Sequence, residues 1–252
     1  MARVIILTVD GAIAGGKSTF VERVRGRLDY SVVVAREPVD QWEESGLLRE
    51  MYESIAQRNR EKEEGAKGGN DDGMPGMFQV YAFSTRLGVF ARCYREAETQ
   101  ARTEGRPVLL VTERSVYSDR AIFKHMLHAD GYITELQARV YDGCFEAWEM
   151  ACERCRPDLA VWLDTPPAEC LKRQRVRARK DEDALFEEQD KDAVAYAEAL
   201  DKRHREVFGG GQFEGAPVLK LDGCHRFHED DDALAEMAHT INKSIQAWLK
   251  MQ

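Results

Sequence analysis

The sequence predicts an α/β fold: a three-layer α/β/α sandwich with a parallel five-stranded sheet and helices on both faces. Five short apolar runs bounded by turn signals carry this reading: Val4 to Val9, Ser31 to Ala35, Val108 to Thr112, Leu159 to Leu163 and Val218 to Leu221. Segments of helical period lie between them, so the chain reads as strand, helix, strand, repeated. Nearly continuous Val/Ile/Leu strands suit a parallel sheet covered on both sides, since a half-exposed strand would alternate apolar with polar residues.

The chain has 252 residues, of which 43% are hydrophobic and 32% charged, the composition of a globular enzyme rather than a disordered chain. No repeat divides it, and we read residues 1–252 as one domain. The formal charge of −9 argues against general nucleic-acid binding, although a local basic cluster can still build an anion site. No apolar run approaches the roughly 18 residues of a membrane span. The first strand begins almost at Met1, which predicts no cleaved leader and a cytoplasmic protein, with the nucleus left open. The six cysteines have no framework spacing, so reduced thiols are expected. Cys152 and Cys155 form a lone C-x-x-C with no second pair at zinc-ligand spacing.

The first strand runs into Gly11-Ala12-Ile13-Ala14-Gly15-Gly16-Lys17-Ser18, followed by Thr19 and a helix predicted over Lys17 to Leu28. This is the full G-x-x-x-x-G-K-[ST] pattern in a strand-to-helix context. Glycines let the backbone wrap a phosphate, and the N–H groups and helix N-terminus stabilise its charge. Lys17 reaches the β/γ-phosphates, and Ser18 can ligate Mg²⁺.

The second strand ends at Glu37-Pro38-Val39-Asp40-Gln41-Trp42. Ligands meet open α/β sheets at strand C-termini, where Glu37 could serve as general base and Trp42 could cover a flat ring. A capping Glu37 and a core Trp42 fit these residues equally well. Beyond them, Arg58 to Met77 is rich in Gly and charge without apolar period, and we expect a mobile insertion over 53–77. A long helix is predicted over Phe78 to Thr103.

The third strand leads to Glu113-Arg114-Ser115 and then Tyr117-Ser118-Asp119-Arg120. A carboxylate here can join Ser18 at Mg²⁺ or its waters, and an arginine can stabilise a transferring phosphoryl group; a surface ion-pair cluster is the plainer alternative. Helices are expected over Thr134 to Arg154, Ala168 to Arg179, Ala184 to Glu206 and Asp231 to Lys250. Basic residues at 172, 173, 175, 177, 179 and 180 make either a solvated face or, with a P-loop nearby, an arginine-rich lid over 172–183.

Taken in order, these segments resemble the deoxyribonucleoside kinase family over almost the whole chain. The resemblance rests on the P-loop, Glu37-Pro38-Val39 with Trp42, Leu47-Leu48-x-x-Met51-Tyr52, Phe78-Gln79-x-Tyr81, Glu113 to Arg120, the arginine lid, and Pro217-Val218-Leu219-x-Leu221-Asp222 with Phe227. It implies ATP as phosphate donor, Mg²⁺, a deoxynucleoside acceptor and a homodimer built on the helices Phe78 to Thr103 and Thr134 to Arg154. Glu37 would be the base on the 5′-OH, positioned by Arg114, with Lys17 at the transferring phosphate. Trp42 would line the nucleoside pocket, Gln79 would bond the base, and Tyr52 and Glu182 would hold the 3′-OH. Arg173, Arg177 and Arg179 would clamp donor phosphates, and Phe227 would lie in the loop at the donor base. The family's deoxycytidine and purine enzymes carry the pair seen here as Arg86 and Asp119. An ionised Asp only accepts and an Arg only donates, which suits an exocyclic amino group better than thymine. A thymidylate-kinase-like monophosphate kinase and a catalytically silent kinase-like subunit are the rival readings.

Overall fold

The protein is described by a computed structural model covering residues 3–64, 72–152, 154–177 and 191–251. In chain order the first half comprises β1 (Val4–Gly11), α1 (Lys17–Val24), β2 (Ser31–Ala35), α2 (Val39–Glu44), α3 (Leu47–Glu63), α4 (Met74–Glu104) and β3 (Val108–Glu113). There follow α5 (Val116–Ser118), a π-helical stretch over Asp119–Lys124, α6 (His125–Ala129), α7 (Glu135–Ala151) and β4 (Leu159–Asp164). The chain ends with α8 (Pro167–Arg177), α9 (Lys191–Phe208), β5 (Gln212–Phe213), β6 (Ala216–Asp222) and α10 (Asp231–Met251).

The sheet order is β2-β3-β1-β4-β6-β5. The five predicted strands are all present and mutually parallel, in registers that pair Val4 with Val108 and Leu7 with Leu159. Among the described residues the sheet is nonetheless six-stranded, because Gln212–Phe213 pairs antiparallel with β6. Two residues beside Gly211 (φ 77°) and Gly215 (φ 84°) are too few to show a strand period in sequence.

β1 is buried throughout, as its apolar run requires. Ile5, Leu7 and Val9 pack on Phe20, Val21 and Val24 of α1 and on Leu234, Ile241 and Ile245 of α10. Val4 and Ile6 face the other side, against Cys93, Ala97 and Ala101 of α4. The Val, Leu, Ile and Phe side chains among these, Phe20 for instance, each gain about 1.5–3 kcal/mol from full burial. A third cluster joins α7 to the sheet through Tyr141, Phe145, Tyr117 and Trp162. Local signals start these helices: Thr134 and Gln137 form a reciprocal capping box on α7, and Pro75 occupies the first turn of α4.

The expected mobile insertion is corrected in part. Residues 53–63 belong to α3 and 74–77 to α4, while 65–71 lie outside the described residues. The charged end of α3 is held by tertiary partners that no periodicity displays: Arg58 donates to the Tyr132 carbonyl at 3.2 Å, and the Lys62 ammonium lies 4.9 Å from the Tyr132 ring centroid. Of the predicted lid, 172–177 continue α8 and 178–183 fall outside the described residues. All six cysteines are free. Among the described residues no helix is long and apolar enough to cross a membrane.

Candidate active site

β1 is flanked by β3 on one side and β4 on the other, and the chain changes direction across the sheet there. Its C-terminal end is the crevice where open α/β sheets take ligands. The backbone leaves β1 at Gly11 and turns into α1 through Ala14 (φ 57°) and Gly16 (φ 93°). A Cβ on Gly16 would stand 3.1 Å from Arg173 Nη1 and 3.2 Å from the Phe227 ring, so these neighbours would have to give by a few tenths of an ångström, and the left-handed backbone angle itself favours glycine. Lys17 Nζ donates to the carbonyls of Ala12 (2.8 Å) and Gly11 (3.2 Å), and Thr165 Oγ1 donates to the Gly15 carbonyl (2.9 Å). Burial foremost, and then the Arg114 charge, lower the Lys17 pKa to about 8. Ser18 Oγ donates to Glu113 Oε1 at 2.5 Å.

A cavity of about 1500 Å³ opens from this turn. That exceeds the 300–1,000 Å³ typical of a single small-ligand site, and leaves room for a nucleotide and a second substrate. Ile13 to Thr19 line one end, with Arg173, Arg177 and Phe227; Trp42, Tyr52, Gln79, Arg86 and Asp119 line the other, and Glu37 and Arg114 also face it.

Glu37 lies between two guanidinium groups. Arg86 Nη2 donates to its Oε1 at 3.0 Å, and Arg114 Nη1 stands 3.9 Å away. Burial pushes the Glu37 pKa up, but Arg114, Arg86 and Lys17 outweigh it and hold the carboxyl down at about 2. Arg114 is 3% exposed, has φ 60°, and donates from Nη2 to the Gly11 carbonyl at 3.0 Å. A left-handed non-glycine residue beside a P-loop stores strain of the kind found at functional sites.

Asp119, 2% exposed, accepts at Oδ2 from Gln79 Nε2 (2.8 Å) and Tyr141 OH (2.7 Å), and at Oδ1 from Arg86 Nη2 (3.4 Å). The expected Arg86 and Asp119 pair is therefore looser than the Arg86 bond to Glu37, and one guanidinium nitrogen serves both carboxylates. Burial raises the Asp119 pKa, while Arg86 and the two shorter hydrogen bonds oppose it. Arg86 Nε and Nη1 are buried and have no partner among the described residues, leaving donors for a ligand. The Arg86 guanidinium lies 5.2 Å from the Trp42 ring, and Trp42 Nε1 donates to Thr85 Oγ1 at 2.8 Å. Trp42 is thus both core residue and cavity wall.

The predicted donor-side residues divide. Arg173 is occupied by backbone, donating from Nη1 to Gly223 O (2.9 Å) and from Nη2 to Cys224 O (3.1 Å), so it ties α8 to the loop after β6. Phe227, 2% exposed, packs on Phe20 beneath the P-loop. Arg177 is exposed on the cavity rim; Arg179 and Glu182 lie outside the described residues. Four buried polar groups near the site escaped the sequence reading: Asp10, Thr165, Tyr141 and His204. Asp10, a carboxylate closing an apolar strand just before the glycine turn, was the one with a visible signal. Tyr141 and His204 sit in ordinary helical patterns, and only tertiary packing brings them here.

A glycine turn for phosphate at one end of a cavity, and a clamped carboxylate with unpaired buried donors at the other, define a P-loop phosphotransferase with two substrates. The chain belongs to the deoxynucleoside kinase family, whose model matches residues 7–59 and 76–246. The unmatched internal stretch, 60–75, falls within the Gly-rich segment Arg58 to Met77. The chain is 25% identical over 252 residues to deoxycytidine kinase of Mus musculus, spanning 93% of this chain and 89% of that protein. It is 26% identical over 241 residues to deoxycytidine kinase 2 of Gallus gallus (89% and 84%). It is 28% identical over 225 residues to mitochondrial thymidine kinase 2 of Homo sapiens (87% and 71%). The protein is thus a deoxynucleoside kinase of nucleotide salvage, and its family uses a nucleoside triphosphate as phosphate donor.

Proposed function

We propose that the enzyme phosphorylates the 5′-OH of deoxycytidine, deoxyadenosine or deoxyguanosine in preference to thymidine, with ATP as donor. The observation that carries this is Asp119, a buried carboxylate in the cavity wall surrounded by donors from Gln79, Tyr141 and Arg86. Burial holds the Asp119 pKa above its ordinary value, and the three donors work against burial by favouring the carboxylate, which can only accept. An amino group on the base satisfies that acceptor, whereas thymine brings a carbonyl oxygen and a methyl group. A site built on buried hydrogen bonds rejects the mismatched ligand by up to roughly 10⁴-fold. Relatives named for either acceptor match this chain over similar lengths, so the preference rests on the pocket's own groups.

In the reaction the nucleoside 5′-oxygen forms a bond to the γ-phosphorus as the bond to the β–γ bridging oxygen breaks. Glu37, ionised throughout the neutral range, takes the hydroxyl proton late, and Arg114 and Arg86 keep its carboxylate aimed. Lys17 and the Ile13 to Thr19 turn hold the donor phosphates, Arg173 braces the turn, and the family resemblance assigns Arg177 and Arg179 to the same phosphates. Tyr52 and Glu182 are assigned to the 3′-OH. Ser18 and Glu113 present adjacent hard oxygen donors, which suit Mg²⁺ and would hold it at the phosphate turn. The ion would supply positive charge against the donor phosphates. Residues 1–252 act as a single kinase domain.

A homodimer is part of the same proposal. Leu136, Val140, Gly143, Ala147 and Met150 fall on one stripe of α7 and are all exposed, with Leu136 at 72% and Met150 at 83%. A stripe this apolar on a helix surface suits a second copy of the chain. The acceptor reading is tested by transfer from Mg·ATP to deoxycytidine, deoxyadenosine, deoxyguanosine and thymidine, with a deoxynucleoside monophosphate as control. Preference for an amino-bearing base is expected; preference for thymidine overturns the Asp119 argument, and transfer to the monophosphate alone overturns the nucleoside acceptor.

A further inference from the structure

We infer that Tyr141 of α7 is a specificity-determining positioning residue, which fixes the Asp119 carboxyl group from outside the cavity so that Gln79 and Arg86 read the base. Tyr141 is 1% exposed and is not among the residues lining the cavity. It acts on a ligand only through Asp119, donating from its hydroxyl to Oδ2 at 2.7 Å. That oxygen also accepts from Gln79 Nε2 at 2.8 Å, so its acceptor capacity is taken up by the protein. The remaining capacity belongs to Oδ1, which has the single long contact of 3.4 Å to Arg86 Nη2. Tyr141 therefore decides which carboxylate oxygen is left for the ligand. It also decides the Gln79 amide: an acceptor-only Asp119 draws Nε2 toward itself and leaves the amide oxygen for a donor on the base. The Tyr141 ring is anchored 5.4 Å from Phe83, so the hydroxyl is delivered from a rigid wall.

The charged and titratable groups facing Asp119 are Arg86 on α4, Glu37 beyond β2 and Tyr141 on α7; Arg120 lies near Tyr141. Burial and Glu37 favour the neutral acid, while Arg86, Tyr141 and Gln79 favour the carboxylate. Loss of the hydroxyl removes one of the groups holding the proton off. Asp119 is then protonated at higher pH, and a protonated acid donates, which suits a carbonyl-bearing base. The inference builds on the base preference proposed above.

The test is the Tyr141→Phe variant, with kcat and KM for deoxycytidine and thymidine measured from pH 5 to 9. The acid limb of kcat/KM for deoxycytidine is expected to move up by about one pH unit, the worth of one hydrogen bond to a charged group. The deoxycytidine-to-thymidine ratio at pH 7 should fall roughly tenfold, mainly through KM. In an Asp119→Asn background, which holds no titrating acid at this position, the same substitution should leave the acid limb unmoved, and a thermal melt of Y141F against wild type separates a shifted limb from loss of the fold. An unmoved limb and ratio in Y141F, or an equal change in both backgrounds, overturns the role of Tyr141. Wild-type preference for thymidine overturns the base reading by itself; Tyr141 is judged by the displacement between wild type and variant.

Discussion

Glu37 and Lys17 show how two ionisable groups lining one cavity are set for opposite work. Arg114 and Arg86 keep Glu37 ionised far below neutral pH, while burial and Arg114 bring Lys17 down to about 8. Glu37→Gln keeps the shape and removes the base, so turnover is expected to fall by roughly 10²- to 10⁴-fold with little change in nucleotide affinity. Near-normal turnover in a steady-state assay would remove Glu37 from that role. Lys17 predicts the alkaline limb: its charge is lost as pH rises through about 8, so kcat/KM for the donor should decline above pH 8. A profile flat to pH 10 contradicts this. Residue types at both positions were readable from strand-end motifs, but the environment that sets their protonation was not. Arg86 is 49 positions from Glu37, and no local pattern announces that they touch.

At the scale of elements, the β1 to α1 turn is the part most constrained by local chemistry. Gly16 combines a left-handed φ of 93° with close neighbours on two other segments. Gly16→Ala is expected to weaken donor binding by roughly ten- to hundredfold, the equivalent of about 1–3 kcal/mol of strain, as read by calorimetric titration with ATP. Unchanged affinity would mean the turn tolerates a side chain. The capping box on α7 is a separate device with a separate effect. Thr134→Ala should cost about 1 kcal/mol, a fall of roughly 2–4 °C in Tm, and leave activity at 25 °C unaltered. Helix starts such as this one were legible because their signals lie within four residues. The end of α3 was not, since Arg58, Asn59 and Lys62 are held by Tyr132 on a distant turn.

For the whole molecule, the exposed stripe on α7 and the buried face of the same helix belong to one design. Tyr141 and Phe145 face the core, while Leu136, Val140 and Met150 face outward. Val140→Glu places a charge in the middle of that outward stripe. It should convert a dimer to a monomer by analytical ultracentrifugation; a wild type that sediments as a monomer rejects the dimer outright. Fold class, the five parallel strands, the phosphate turn and the carboxylates at the strand ends all follow from signals a few residues long: apolar period, turn chemistry and a glycine motif. Which groups meet is a different matter. The sharing of one Arg86 nitrogen between Glu37 and Asp119, the backbone capture of Arg173, the short sixth strand and the hydroxyl of Tyr141 behind Asp119 each join segments far apart in the chain. Only the packed fold decides them, because contacts of that kind leave no periodicity in either partner's own sequence.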